Sequence, residues 1–269
     1  MVLLDMAAKG LLDGYDKLYV AHVNHGIRDD SSDDEMFVRE LAAKYKMEYF
    51  STKLNLAKNA SEETARRKRY EFLIEKANEL KAEIATAHHL DDVVESITIN
   101  ITRGTGWRGL AVMGRPGVVR PLLNMTKSEI YDYALKNKLE WVEDSTNSTD
   151  TYLRNRIRQK TMQLDMTIKK ALGELSESQH DLSRNIKKEI ASLSESMLND
   201  RHVYVMVPEN IAIELLRAAI SVENITPPMN SQLARAVVAI KTALPGKICQ
   251  VGDGVFLEFS RRGFIVRTS

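Results

Sequence analysis

Along the first 143 residues, short apolar runs alternate with stretches in which apolar side chains recur every three or four positions. Residues 18–23, 47–50, 83–87 and 140–142 read as strands. Between them Tyr70, Leu73, Ile74, Ala77 and Leu80 mark one face of a helix, with Ser61 as its N-cap and Glu62 and Glu63 in the first turn, where the helix dipole favours acids. Leu90, Val94, Ile97 and Ile101 form a second such face. Thr126-Lys127-Ser128-Glu129 has capping-box spacing and leads into Ile130, Ala134 and Leu135. Strands separated by crossover helices predict an α/β, doubly wound parallel sheet whose ligand site lies at the carboxyl ends of the strands.

The pattern changes near residue 151 to long polar helices that run to about 200. Two more helices, 211–220 and 232–242, are followed by short strands at 247–250, 255–259 and 263–267 with Gly-containing turns. The expected organisation is a catalytic domain over 1–160, a helical linker over 161–203 and a small α+β module over 204–269. The start departs from this pattern: Met1-Val2-Leu3-Leu4-Asp5-Met6-Ala7 opens directly in an apolar helical rhythm, whereas a doubly wound domain leads with its central strand.

Composition narrows the class. Apolar residues make up 43% and charged ones 28%, with 38 Lys and Arg against 37 Asp and Glu, which excludes a disordered or uniformly polybasic chain. No run of 18 apolar residues and no secretion signal is readable. Cys249 is the single cysteine, so an internal disulfide and a Cys-rich metal or cluster site are excluded, and a reducing cytoplasm is the expected location. Charge is unevenly spread: five acids fall within 29–35, while 151–170 carries Arg154, Arg156, Arg158, Lys160, Lys169 and Lys170 against Asp165 alone.

The densest polar cluster, Thr86-Ala87-His88-His89-Leu90-Asp91-Asp92-Val93-Val94-Glu95, falls where a strand hands over to a helix. Asp92 and Glu95, three apart, share a helical face and could hold Mg²⁺ or an ammonium group; Asp91 could equally cap the helix, with the histidines packing beside the strand. Ala21-His22-Val23-Asn24-His25-Gly26-Ile27-Arg28 sits at another strand end and reads either as ligand contact or as structural. Arg103-Gly104-Thr105-Gly106 reads as a close-approach loop or a helix C-cap. Arg154-Asn155-Arg156-Ile157-Arg158 suits a phosphate backbone or a solvated surface helix.

Taken together these segments, with Ala65-Arg66-Arg67-Lys68-Arg69-Tyr70, Arg120-Pro121-Leu122-Leu123 and Trp141-Val142-Glu143-Asp144-Ser145-Thr146-Asn147, resemble the tRNA(Ile)-lysidine synthetases of the PP-loop (N-type) ATP pyrophosphatase superfamily. Their order and spacing span about residues 1–165, and the tail matches loosely, as a C-terminal tRNA-binding module in the short form of the family. The family's Ser-Gly-Gly-x-Asp-Ser loop, which follows the first strand, falls upstream of Met1 in this alignment of motifs.

The resemblance implies ATP and Mg²⁺ as cofactors, and free L-lysine and a tRNA(Ile) with a CAU anticodon as substrates, with no membrane and with room for a homodimer. The wobble cytidine's 2-oxygen attacks the α-phosphate of ATP, pyrophosphate leaves, and lysine's amine then displaces AMP. It places Ala21, His22, Val23, Asn24, His25, Arg28, Thr86, Arg103, Gly104 and Gly106 around ATP, with His88 and His89 near the α-phosphate. Asp92 and Glu95 take lysine or metal (Asp92 the Mg²⁺), Arg66 and Arg69 offset phosphate charge, and Arg120, Arg154, Asn155, Arg156 and Arg158 meet tRNA. Two alternatives are an inactive tRNA-binding remnant, expected if the phosphate loop is absent, and another PP-loop enzyme such as a tRNA thiolase, which a lone Cys249 argues against.

Overall fold

The computed structural model describes residues 1–12, 14, 15, 17–24, 31–54, 62–141, 153–252 and 254–268, the side chains of 31, 32, 62, 153–155 and 195 excepted. Ser61, His25 and Arg28 lie outside the described residues, as do the side chains of Arg154 and Asn155. The chain divides into two compact units, 1–105 with 109–177, and 106–108 with 178–269. The division falls inside the stretch expected as a linker, and α7 (Met166–Ala191) runs through it as one continuous helix.

The first unit is α/β. Its elements are α1 (Val2–Ala8), β1 (Tyr19–Asn24), α2 (Ser31–Lys44), β2 (Glu48–Lys53), α3 (Glu62–Leu80), β3 (Ile84–Ala85), α4 (Leu90–Thr102), β4 (Val118–Val119), α5 (Lys127–Lys136), α6 (Leu153–Met162) and the first half of α7. The strands pair parallel, as expected of crossover connections, but they form two separate pairs, β1–β2 and β3–β4. Among the described residues the parallel strands of this α/β fold are these two pairs. An apolar cleft of about 600 Å³ is bordered by Leu4 of α1, Val20 of β1, Leu73 of α3 and Ile84 of β3.

Two differences from the sequence reading are local. Glu140 and Trp141 are not in a strand, and Val142 lies outside the described residues. β4 carries no sequence signal, because two residues following Gly114-Arg115-Pro116-Gly117 are too few to show alternation. The apolar helix faces are buried over most of their length and drift off the core at the edges: Ile74, Ile101 and Leu135 are exposed while Tyr70, Val94, Ile97 and Ala134 are buried. Val2 on α1 packs with Leu122 and Ala134, whereas Leu90, Val93 and Ile97 on α4 pack against Val112 and Leu172. The capping box forms as read: Glu129 N–H donates to Thr126 Oγ1 at 3.2 Å and Thr126 N–H to Glu129 Oε2 at 2.7 Å.

The second unit contains α8 (Glu195–Leu198), α9 (Arg201–Met206), α10 (Glu209–Val222), α11 (Asn230–Thr242) and an antiparallel meander of β5 (Ile248–Gly252), β6 (Val255–Phe259) and β7 (Phe264–Thr268). Period-2 alternation puts Val255, Leu257 and Phe259 inward, against Leu216, Ile220, Leu233 and Ile240 from α10 and α11. Arg201 donates to the carbonyls of Ile240 (2.6 Å) and Ala243 (2.7 Å), satisfying acceptors left open at the end of α11.

Candidate active site

The chain leaves β3 through Thr86, whose N–H donates to the Val119 carbonyl at 3.1 Å, which ties the strand end to β4. Thr86 Oγ1 lies 2.8 Å from His88 Nδ1 and orients that ring. His89 is extended (φ −129°, ψ 178°) at the N-cap of α4, and its N–H donates to Asp92 Oδ2 at 2.9 Å. One carboxylate oxygen of Asp92 thus closes the helix start, where unpaired N–H groups and the dipole favour negative charge. The His89 ring nitrogen Nδ1 is buried without a hydrogen-bond partner, 3.8 Å from Asp91 Oδ2.

Asp91 is engaged in holding the unit together. It accepts from Lys169 Nζ at 2.7 Å and from the Lys127 N–H at 2.6 Å, so it fixes α4 to α7 and to the start of α5. Burial pushes its pKa up, but the Lys169 ammonium and the Lys127 N–H outweigh burial and hold it below the usual carboxylate value. Between cap and ligand, the structure therefore gives Asp91 a third occupation. Glu95, one turn beyond Asp92, is 2% exposed and accepts from Arg158 Nε at 2.9 Å.

A cleft of about 250 Å³ opens beside His88 and is lined by Arg66, Arg69, Tyr70, Leu73, Thr86 and Asp92. Arg66, Arg69 and Tyr70 come from one face of α3 at helical spacing, which is why three residues close in sequence reach one cleft. Two guanidiniums, an imidazole and the N-terminus of a thirteen-residue helix make a setting for phosphate oxygens. Mg²⁺ fits less well: Asp92 is the one carboxylate in the cleft, and among the described residues no group of three His, Cys, Asp or Glu could hold a metal ion.

Other expected site residues are placed elsewhere. Ala21, His22, Val23 and Asn24 lie on β1, which pairs with β2; Asn24 is buried and donates to Glu35 Oε2 at 3.0 Å. His22 has its pKa lowered by burial, against the opposing pull of Glu35 and Asp34. Arg103 and Gly104 cap the carboxyl end of α4, with Gly104 at φ +71°. At 1.5 Å per residue that end is about 20 Å from His89, and its dipole repels phosphate. The structure does not bring Arg103 or Gly104 to the His88 cleft, and the C-cap reading accounts for them. Gly106 belongs to the second unit, where neighbouring Arg108 is ion-paired with Glu214.

The basic segment 154–158 is helical, so arginines at alternate positions cannot share one face. Arg156 is exposed, Ile157 is buried and Arg158 turns to Glu95. Sequence reasoning missed Arg115, whose guanidinium lies 4.0 Å from the Tyr70 ring centroid, because an isolated basic residue in a loop carries no periodic signal; it counted Lys169 within the basic run and missed its pairing with Asp91.

Residues 1–165 match the PP-loop domain family, and a curated tRNA(Ile)-lysidine synthase of Chlorobaculum tepidum is 30% identical over 277 aligned residues, covering 92% of this chain and 83% of that protein. The chain belongs to the tRNA(Ile)-lysidine synthase family. The tRNA(Ile)-lysidine synthase of Petrotoga mobilis is 38% identical over 151 residues, 53% of this chain and 49% of that one. The chain spans about half or less of the length of the first curated lysidine synthases it matches. Among solved structures, the U34-tRNA thiolase NcsA of Methanococcus maripaludis superposes with a TM-score of 0.55 at 18% identity, over 67% of each chain, which shows a shared PP-loop fold. In this lysidine synthase family member, the family-matching motifs at 66–70 and 86–95 are the ones that meet in the cleft.

Proposed function

We propose that the protein is a tRNA(Ile)-lysidine synthase, an ATP-dependent carbon–nitrogen ligase that converts the wobble cytidine of a CAU anticodon to lysidine. The observation that carries the reading is the cleft in which Arg66, Arg69, His88 and Asp92, all from family-matching motifs, face one another beside the N-terminus of α4. In this reading the 2-oxygen of the cytidine bonds to the α-phosphorus of ATP as the bond to pyrophosphate breaks. Lysine's amine then bonds C2 as the C2–O bond breaks, AMP carries the oxygen away, and the amine gives up its proton.

Arg66 and Arg69 offset the charge that builds on the phosphate oxygens. His88, with its ring fixed by Thr86, donates to an oxygen of the reacting phosphate. Asp92 holds the incoming ammonium and receives its proton, and Glu95 acts as a positioning residue through Arg158. Arg156 and Arg120 meet tRNA, as does the second unit, 178–269. Mass spectrometry of tRNA(Ile) from cells depleted of the protein tests this reading: lysidine at the wobble position is expected to fall in step with the protein, and undiminished lysidine would overturn it.

A further inference from the structure

Tyr70, 3% exposed on α3, lines the His88 cleft with Arg66 and is also approached by two guanidiniums outside that lining, those of Arg115 and Arg120. Arg115 lies 4.0 Å and Arg66 5.4 Å from its ring centroid. Arg120 faces its hydroxyl closely enough for the two to attract. Yet the Tyr70 hydroxyl and Arg120 Nε, both buried, close no hydrogen bond of normal geometry. Burial lowers the Arg120 pKa, and the charges of Arg66 and Arg115 push the same way, the Tyr70 hydroxyl alone opposing them.

Three like charges around one phenol are costly without a counter-charge. Among the described residues none of Arg66, Arg115 or Arg120 forms an ion pair with a carboxylate. A guanidinium stacked on a ring keeps its N–H donors in its own plane, available to an anion at the ring edge. The chain is folded so that these groups converge: Gly117, at φ +71°, turns the backbone into β4, and Arg115 and Arg120 flank that strand. Arg120 spends one nitrogen, Nη1, on the Val118 carbonyl at 3.1 Å. Two orphaned buried polar atoms and uncompensated positive charge at one point describe a site built for an oxyanion.

We infer that Arg115, Arg120 and the Tyr70 hydroxyl, together with Arg66, extend the His88 cleft into a phosphate-binding subsite, with Arg115 and Tyr70 as binding residues. The ligand chemistry is a phosphoryl group, carried either by the RNA backbone or by the nucleotide. The inference deepens the proposed function, because a tRNA substrate and ATP both supply that group.

The test compares the full-length protein with Arg115→Gln and Tyr70→Phe; the first changes an exposed side chain, and the second keeps the buried ring and removes only the hydroxyl. Calorimetric titration with inorganic pyrophosphate reads the nucleotide source, and filter binding of a tRNA(Ile) transcript between about 50 and 200 mM salt reads the RNA source. A loss of about three- to fivefold in pyrophosphate affinity assigns the site to the nucleotide. A salt slope shallower by about 0.7–0.9, one lost phosphate contact, assigns it to RNA. Unchanged pyrophosphate affinity together with an unchanged salt slope in both variants, with unaltered circular dichroism, overturns the subsite. The cellular lysidine assay scores the functional reading separately: a protein that makes lysidine but shows no effect of Arg115→Gln fails here alone, and the converse result fails there alone.

Discussion

Arg158 on α6 donates to Glu95 on α4 at 2.9 Å, across 63 residues of sequence, and the carboxylate it meets is almost wholly buried. Taking an ion pair out of water is costly, so its net worth is modest, but stripping a buried carboxylate of its cation is expensive. Arg158→Met is expected to lower unfolding free energy by about 3 kcal/mol. In urea denaturation, Glu95→Gln combined with Arg158→Met should lose less than the sum of the single losses. Additive losses would show that the two do not act as a pair.

Asp91 has its pKa held below the usual value by Lys169 and Lys127 despite burial. A depressed carboxylate contributes stability that is present above its unfolded pKa, 3.8, and is lost as pH falls through the lower folded value. Thermal melts between about pH 2 and 6 should therefore show an acid limb below about pH 4. Lys169→Met should move that limb to higher pH, and an unmoved limb would remove Asp91–Lys169 as its cause.

The buried carboxylate of Asp5 accepts from Tyr45 at 2.6 Å and from Tyr133 at 2.8 Å, joining α1 to α5 and to the residue following α2. Burial, reinforced by this carboxylate, pushes both phenols up to about 12. Because the folded values are raised, this network stabilises fully below about pH 10 and loses its contribution as pH rises toward 12. Ultraviolet titration should find these two tyrosines ionising late, and Asp5→Asn should bring them down toward the ordinary value. Late ionisation that survives Asp5→Asn would leave burial as the whole cause.

Asp92 both caps α4 and lines the cleft, and two substitutions separate those roles. Asp92→Asn keeps the acceptor for the His89 N–H and removes the charge. It should leave the melting temperature and tRNA binding near wild type while cutting lysidine formation by about 100-fold or more. Full activity in Asp92→Asn would reduce the residue to a helix cap.

Gly173 on α7 faces Leu90 at the start of α4, and a Cβ there would come within 2.8 Å of Leu90 Cδ1. Alanine gains about 1 kcal/mol in helix propensity, but overpacking a buried contact costs about 1–3 kcal/mol. Gly173→Ala should therefore destabilise by about 1 kcal/mol and disturb the neighbouring His89; a stabilised variant would show that Leu90 has room to turn aside.

The sequence by itself determined the local elements and the family. The helical patterns at 70–80, 90–101, 211–220 and 232–242 and the strand pattern at 255–259 are statements about one side chain and its near neighbours, so they survive without the fold. The motif order over 1–165 did the same for membership of the family. It did not determine how the acids divide their work. Asp91, Asp92 and Glu95 look equivalent at the start of one helix, yet Asp91 meets Lys127 and Lys169, 36 and 78 residues away, Glu95 meets Arg158, 63 residues away, and Asp92 closes the start of its own helix. The Tyr70 cluster depends likewise on a loop arginine at 115 meeting a helix at 66–70. Charge and hydrogen bonding act through space and burial, and only the packed chain decides which distant groups share a dry volume.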